Sequence, residues 1–504
     1  MLGPVMRGPS SSHTAGAHGI GCVIRKLFGE KPSSVVCTFD PRGSMATTYA
    51  PLAVDRGFAA GLLDWDLTDK RFHLALDYVK KRGISIRFQI EPLVKADHPN
   101  AMQIDVKGID GKTLSAFVKS TGGGSFLFTE LDGWSVSLNG KSHVLLIEAE
   151  KQSKPQISKR IPEGIKENIV QTHPRMIFAE YQSETPFDTQ LLISLEKLPG
   201  IHSVWHAPAY FNVQKGSPLF SSAKEMIALA EKKKWSLGKA VLHYEAQILS
   251  RTEDDIVNEM IRRFMIMKES VQKGLTDSGP NMMLLNPTAG KILKEEKAGN
   301  LALGGLHTRA AARAMAVMHM SNSLGVVCAA PTGGSSGVVP GVIVTLAEEK
   351  NLSEQESAML LFSASSIGLI FAQRATFAAE VAGCQVEIGA AGAMAAAAVV
   401  EYAGGKAKQA ADAAAIALQN TMGSVCDPVK GTCEIPCHTR NAVAASNAFV
   451  CADLILGGYV NPIPLDETID ASFEVGKMLP RELRCTALGG LAVTPSAVKL
   501  PSRR

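Results

Sequence analysis

Three cysteines in the last quarter of the chain could carry chemistry. Cys384 lies in EVAGCQVEIGAAG, Cys426 in GSVCDPVKG and Cys437 in EIPCHTRNA, 42 and 11 residues apart. Each sits close to Gly or Pro, where the chain can bend to aim a thiolate inward. Three soft thiolates suit an iron–sulfur cluster or zinc. The spacing is neither the C-x-x-C of zinc ribbons nor the ferredoxin run. By spacing alone the three read first as buried structural cysteines. Cys433 is an extra candidate in the same loop. The chain has nine cysteines, six of them after residue 380. In a large cytosolic chain such clustering points to metal or catalysis before disulfides. Cys22, Cys37 and Cys451 read as small buried hydrophobes.

Two other segments offer polar groups. APTGGSSGVVPG at 330–341 supplies consecutive backbone N–H groups and the hydroxyls of Thr332, Ser335 and Ser336. Such a loop can bind a carboxylate or phosphate, especially where a helix follows. No Lys-Ser/Thr follows it, so it is not a Walker A loop, and alone it reads as a structural turn. GPSSSHTAG at 8–16 makes a polar cap into a helix expected to begin near Ala15. Alone it reads as capping. In a site, Ser10, Ser11 and Ser12 would grip an anionic substrate and His13 would move a proton.

Taken together, these segments resemble the iron–sulfur L-serine dehydratases (L-serine ammonia-lyases). GPSSSHT resembles the opening of that family's β domain. GSMATTYAPLAVD at 43–55 falls where the family runs into its GH-x-TD signature, and STGGGSF at 120–126 is similar to its triple-glycine loop. APTGGSSGVVP, EVAGCQVEIG, CDPVKGTCEIPC with the following RNA, and GGLAV at 489–493 resemble segments of its α domain and tail. The order is that of a fused β–α chain, and the resemblance covers most of the chain outside about 146–215.

The resemblance implies a [4Fe–4S] cluster on Cys384, Cys426 and Cys437, with one iron left free to act as a Lewis acid on a small amino-acid substrate. A base would remove the Cα proton, and L-serine would leave as pyruvate and ammonia without PLP. Ser335, Ser336, Thr332 and Ser10–Ser12 are expected to grip carboxylate and amine, with His13 and Asp55 as catalytic candidates. Two departures stand out. The family's tail cysteine falls on Ala497 here, so either Cys485 substitutes or the fourth iron position is open, the open site being the preferred expectation. The family's histidine falls on Leu52, while Asp55 is retained. The base could then be His13, His18 or His438. The substrate could equally be L-threonine, L-cysteine or another β-substituted acid, or the chain could be a non-catalytic metal-binding sensor.

The elements expected to position these residues give an α+β multidomain chain. Residues 1–145 read as an α/β domain, with strands at Val35–Phe39, Ile84–Ile90 and Ala101–Val106. Residues 146–215 read as a small α/β segment, either a regulatory module or a linker with some sheet. Its strands are expected at His143–Ala149, Gln190–Leu195 and within Ser203–Val213, and a helical stretch at Lys154–Glu167. Residues 216–504 read as an all-α catalytic domain. Helical spacing marks Ala223–Lys233, Glu253–Gly274, Thr308–Met320, Ser353–Ala372 and Ala407–Asn420, and loops are expected at Ala330–Gly341 and Gly423–Cys437.

The whole chain sets outer bounds. It has 504 residues, is 46% hydrophobic, and carries a net charge of +4 with 20% charged residues. Its basic residues are scattered, which argues against nucleic acid as a partner. The start, MLGPVMRGPSSSHTAG, has no apolar core of signal-peptide length, and no unbroken apolar run reaches the roughly 18–20 residues of a membrane helix. A cytoplasmic location, no membrane partner and a homodimer are expected.

Overall fold

A computed structural model describes residues 2–276 and 279–501. The N-terminal part is built on a six-stranded sheet. Its strands run in the order Ser85–Ile90, Ser34–Phe39, Ala101–Lys107, Thr113–Gly122, Ser125–Leu131 and Trp134–Leu138. The first pair is parallel and the rest are antiparallel. Alternation along Ala101–Lys107 turns Met102, Ile104 and Val106 to the core. Helices Gly16–Phe28 and Val54–Leu62 pack at very short range. A Cβ on Gly61 would stand 2.2 Å from the His18 carbonyl, and one on Gly57 2.4 Å from that of Thr14. This approach, open only to glycine, fixes the polar segment that precedes the first helix.

A second, four-stranded antiparallel sheet follows, in the order Ile201–Ala207, His143–Glu150, Met176–Ser183 and Lys166–Thr172. With helices Lys154–Ser158 and Thr189–Glu196 it forms a βαββαβ unit of ferredoxin-like order. One face carries its own core of Leu145, Ile147, Ile177, Leu192 and Leu195. The other presents Leu146, Phe178 and Trp205 to the main core, where Phe178 stacks on Trp134 at 5.3 Å between ring centres. Two expectations fail here. Gln190–Leu195 is helical, because Asp188 caps the segment by accepting from the Gln190 N–H and Leu192 and Leu195 share one helical face. The helix from Lys154 stops at Ser158, and Lys166–Thr172 is an edge strand.

The C-terminal half is helical. Ile388–Tyr402 is buried from Ile388 through Val400, and its alanines let its neighbours come close. Glu354–Arg374, Ala407–Gln419 and Cys437–Leu456 pack around it. The expected loop at Ala330–Gly341 is shorter than its composition implies, since a helix, Val338–Lys350, begins inside it. Glu354–Arg374 and the stretch Cys384–Tyr402 are long and apolar enough to cross a membrane by length and composition. Yet 78% and 94% of their apolar windows are buried inside the protein, as in core helices. The N-terminal segment is threaded into this half: Val5–Arg7 pairs with Val326–Cys328, and the Gly3 N–H donates to the Ala329 carbonyl at 2.9 Å.

Candidate active site

The cysteine pocket is assembled from turns. Gly383, at φ 74°, swings the chain so that Cys384 points inward. Cys426 is held by a short parallel bridge. Its N–H donates to the Leu483 carbonyl and its carbonyl accepts from the Cys485 N–H, both at 2.8 Å. Cys437 opens the helix Cys437–Leu456. Metal-binding atoms of Cys384, Glu387 and Cys426 all lie within 4.8 Å of one another. The Cys384 and Cys426 thiols share a hydrogen bond, as do Cys426 with Cys485 and Cys433 with Cys437. Arg440 Nη1 donates to the Val425 carbonyl at 2.7 Å and lies 3.6 Å from Cys384 Sγ, and its Nη2 pairs with Asp427 at 3.0 Å. The bond from Cys426 pulls the Cys384 thiol below its ordinary range, and Arg440 adds to the pull. The bonds with Cys384 and Cys485 push Cys426 well up.

The N-terminal polar segment reaches this pocket. His13 is fully buried, with Nδ1 at 3.1 Å from Ser10 Oγ and 3.0 Å from Ser12 Oγ. Its Nε2 lies 3.2 Å from Ser44 Oγ and 3.1 Å from Thr48 Oγ1. Ser44 spends its proton on the Cys485 carbonyl, 2.5 Å away, and Thr48 spends its own on the Ser44 carbonyl at 2.7 Å. Both hydroxyls can therefore only accept from the ring. The hydrogen-bond pattern assigns the Nε2–H tautomer, with the Nδ1 lone pair facing Ser10 and Ser12. Burial lowers the His13 pKa to about 3.

Two carboxyls complete the arrangement. Glu380 is 2% exposed; Asn100 donates to its Oε1, and Ser12 Oγ stands 3.4 Å from its Oε2. Burial raises its pKa to about 7. Glu387 is held well above the usual carboxyl range, first by burial and then by Cys384 and Glu380. Thr332 hydrogen-bonds Glu387, and its hydroxyl lies 3.0 Å from that of Ser335. The 330–341 loop touches the serine loop backbone to backbone. A Cβ on Gly333 would stand 3.0 Å from the Ser11 nitrogen. Ser11 Oγ is buried without a hydrogen-bond partner.

Ser10, Ser11, Ser12, His13 and Thr332 thus meet Cys384 and Cys426 in one buried region. Cys437 reaches it through Cys433 and Arg440, the latter lying within electrostatic range of Cys384, Cys426 and Cys437 together. Ser336 turns to the Met318 sulfur at 3.7 Å. Asp55 accepts from the Arg56 N–H at 2.7 Å and pairs with its guanidinium at 3.6 Å. Leu52 is buried, and its carbonyl accepts from Thr14 Oγ1 at 2.7 Å. His18 is taken up by Tyr210 and the Trp65 carbonyl, and His438 by Asn322. Ala497 packs with Leu284 and Val429. Sequence reasoning passed over Glu380, Glu387, Asn100, Ser44 and Thr48. The two glutamates had a visible signal, since both interrupt the apolar run around Cys384.

Comparisons agree with this geometry. The family model "Serine dehydratase alpha chain" matches residues 232–492, just over half of the chain. The chain belongs to the serine dehydratase family. It is an enzyme of the lyase class. It is 38% identical over 285 residues to the probable L-serine dehydratase alpha chain of Bacillus subtilis, covering 56% of this chain and 95% of that relative. It is 35% identical over 283 residues to the L-serine dehydratase alpha chain of Peptoniphilus asaccharolyticus, covering 56% and 97%. It is also 41% identical over 147 residues to the probable L-serine dehydratase beta chain of Bacillus subtilis, covering 29% and 65%. This serine dehydratase relative is thus similar to both an alpha and a beta chain found separately elsewhere.

Proposed function

We propose that the chain is a cytoplasmic, homodimeric [4Fe–4S]-dependent enzyme that dehydrates and deaminates L-serine to pyruvate and ammonia. The observation that carries this reading is the burial of Cys384 and Cys426 beside Glu380, Glu387 and the His13 hydroxyl network. The donor set fits a cluster, for thiols are its preferred ligands and a guanidinium offsets their negative charge. Cys384, Cys426 and Cys437 would hold it. When bound, the cluster supplies a Lewis-acidic iron that makes hydroxide a workable leaving group. We read residues 1–145, 146–215 and 216–504 as beta-type, small α/β and alpha-type units.

The chain's own residues do the rest. The Glu380 carboxylate takes the Cα proton, because its raised pKa suits a base near neutral pH. His13, kept neutral by burial, accepts at Nδ1 from Ser10, which leaves the Ser12 hydroxyl free to donate to Glu380. The unpartnered Ser11 hydroxyl, with Ser10 and Thr332, binds the substrate carboxylate and amine. Ser335 braces Thr332, and Ser336 and Asp55 support their own segments. The aminoacrylate that leaves tautomerises and hydrolyses to the 2-oxo acid.

Anaerobically reconstituted protein is expected to convert L-serine to pyruvate, to lose this in air, and to lose it in Cys384→Ala. Turnover that survives removal of iron and sulfide would overturn the reading. Leu52, standing where the family has histidine, favours a second reading in which the same site takes L-threonine, L-cysteine or another β-substituted acid. A substrate panel read by ammonia, sulfide and keto-acid release separates the two.

A further inference from the structure

Cys485 was left open by the sequence, and the open fourth iron position was the preferred expectation. The structure brings this cysteine to the pocket. Its side chain is 5% exposed and hydrogen-bonds the Cys426 thiol. It occupies left-handed backbone, φ 57°, and Ala487 does so again at φ 56°. Such a conformation disfavours any residue with a Cβ and persists only where surroundings impose it, commonly at functional sites.

Here the surroundings come from both halves of the molecule. Cys485 N–H is tied to the Cys426 carbonyl at 2.8 Å. Its own carbonyl accepts from Ser44 at 2.5 Å, and the Thr486 carbonyl accepts from Thr47 at 2.7 Å. Thr486 Oγ1 in turn donates to the Glu482 carbonyl at 2.9 Å. The same Ser44 contacts His13. The turn is therefore clamped between the cysteine bridge and the His13 network, with its sulfur directed at Cys426.

Resting on the cluster reading above, we propose that Cys485 supplies the fourth thiolate of the cluster in the resting enzyme. Its thiol proton is released on binding, as for any cysteine ligand. Bound there, the Cys485 thiolate would close the position that three cysteines leave open. The residue four positions before the terminal glycine pair does this, and Ala497 takes no part.

The test uses the full-length protein, reconstituted anaerobically and titrated with ferricyanide, a one-electron oxidant. Electron paramagnetic resonance and iron and sulfide counts are followed. Wild type is expected to keep an intact four-iron cluster through the first equivalents. Cys485→Ala is expected to lose roughly one iron per cluster and show the signal of a three-iron cluster. Cys485→Gly reads the same quantity in a residue at ease with positive φ, so a folding defect in the alanine variant does not decide the result. The proposal falls if both variants hold their iron as wild type does. It falls equally if Cys433→Ala, and not Cys485→Ala, releases the iron. A wild type without any cluster chromophore would instead sink the cluster reading itself.

Discussion

The βαββαβ unit between His143 and Ala207 closes a core from its own segment, with Leu145, Ile147, Ile177 and Leu195 in mutual reach. The cysteine pocket does the opposite. It draws Ser12 to Glu380 across 368 positions and Ser44 to Cys485 across 441. A local core can form before the rest of the molecule, whereas the pocket exists only once both halves are in place, after all the loop-closure entropy has been lost. Substitutions in the unit should therefore cost local stability. Substitutions in the pocket should cost chemistry.

The strongest test of that division is Cys426→Ala. It removes a thiol bonded to both Cys384 and Cys485, so cluster content and pyruvate formation should both fall, the latter by about 10³-fold or more. Thermal unfolding of the βαββαβ unit should hardly move. A variant that keeps full iron and full turnover would show that the pocket's sulfurs are only packing.

Glu380→Gln comes next and is nearly isosteric. We expect kcat to fall by about 10²–10⁴-fold with iron content unchanged. In wild type the carboxylate form is the base, so kcat/KM should rise with pH through a limb near about 7. Glu387 and Cys485 face this group electrostatically and His13 reaches it through Ser12, but burial is the main cause of its shift. In the variant that limb should vanish. Stability should show the same group with its own sign. The folded state holds the Glu380 proton more tightly than the unfolded chain, so stability falls as pH rises from about 4.5 to about 7. Glu387, also raised, acts in the same direction. An unchanged pH–rate profile in Glu380→Gln would return the proton to another acceptor.

These pocket residues also show where sequence reading stops. Helices at Ala223–Lys233 and Glu253–Gly274 have the bounds expected from apolar spacing, because one face of each meets the core. The three cysteines and the serine loop were visible as types in turn-rich segments. Glu380 and Asn100 were not, because their roles come from burial and a contact across 280 positions that no local pattern records. Gln190–Leu195 failed for a local reason. An alternating look lost to a single capping aspartate at 188. Cys485 lay in plain view, yet its place depends on a left-handed turn held by Ser44 and Thr47 from the other half.

Gly333→Ala probes the contact between the halves more gently. The added methyl would sit 3.0 Å from the Ser11 nitrogen and 3.2 Å from the Pro9 carbonyl. Backbone must yield there, moving the serine loop by a few tenths of an ångström. A loss of about tenfold in kcat/KM is expected, since small misplacements of binding groups are costly. Steady-state kinetics at constant iron content checks this. Wild-type kinetics would mean the serine loop does not grip substrate.

Leu195→Ala should have the smallest effect on activity. Leu195 is fully buried in the unit's own core, and its truncation should cost the unit about 2–5 kcal/mol. Hydrogen exchange should quicken across 143–207 and stay unchanged around Cys384 and Cys426. Turnover of L-serine at low temperature should match wild type if the unit is only an appendage to the main core through Phe178 and Trp134. A change in the shape of the substrate saturation curve would mean something different. The one face it shares with the main core would then be coupling the unit to the site, as expected of a regulatory module.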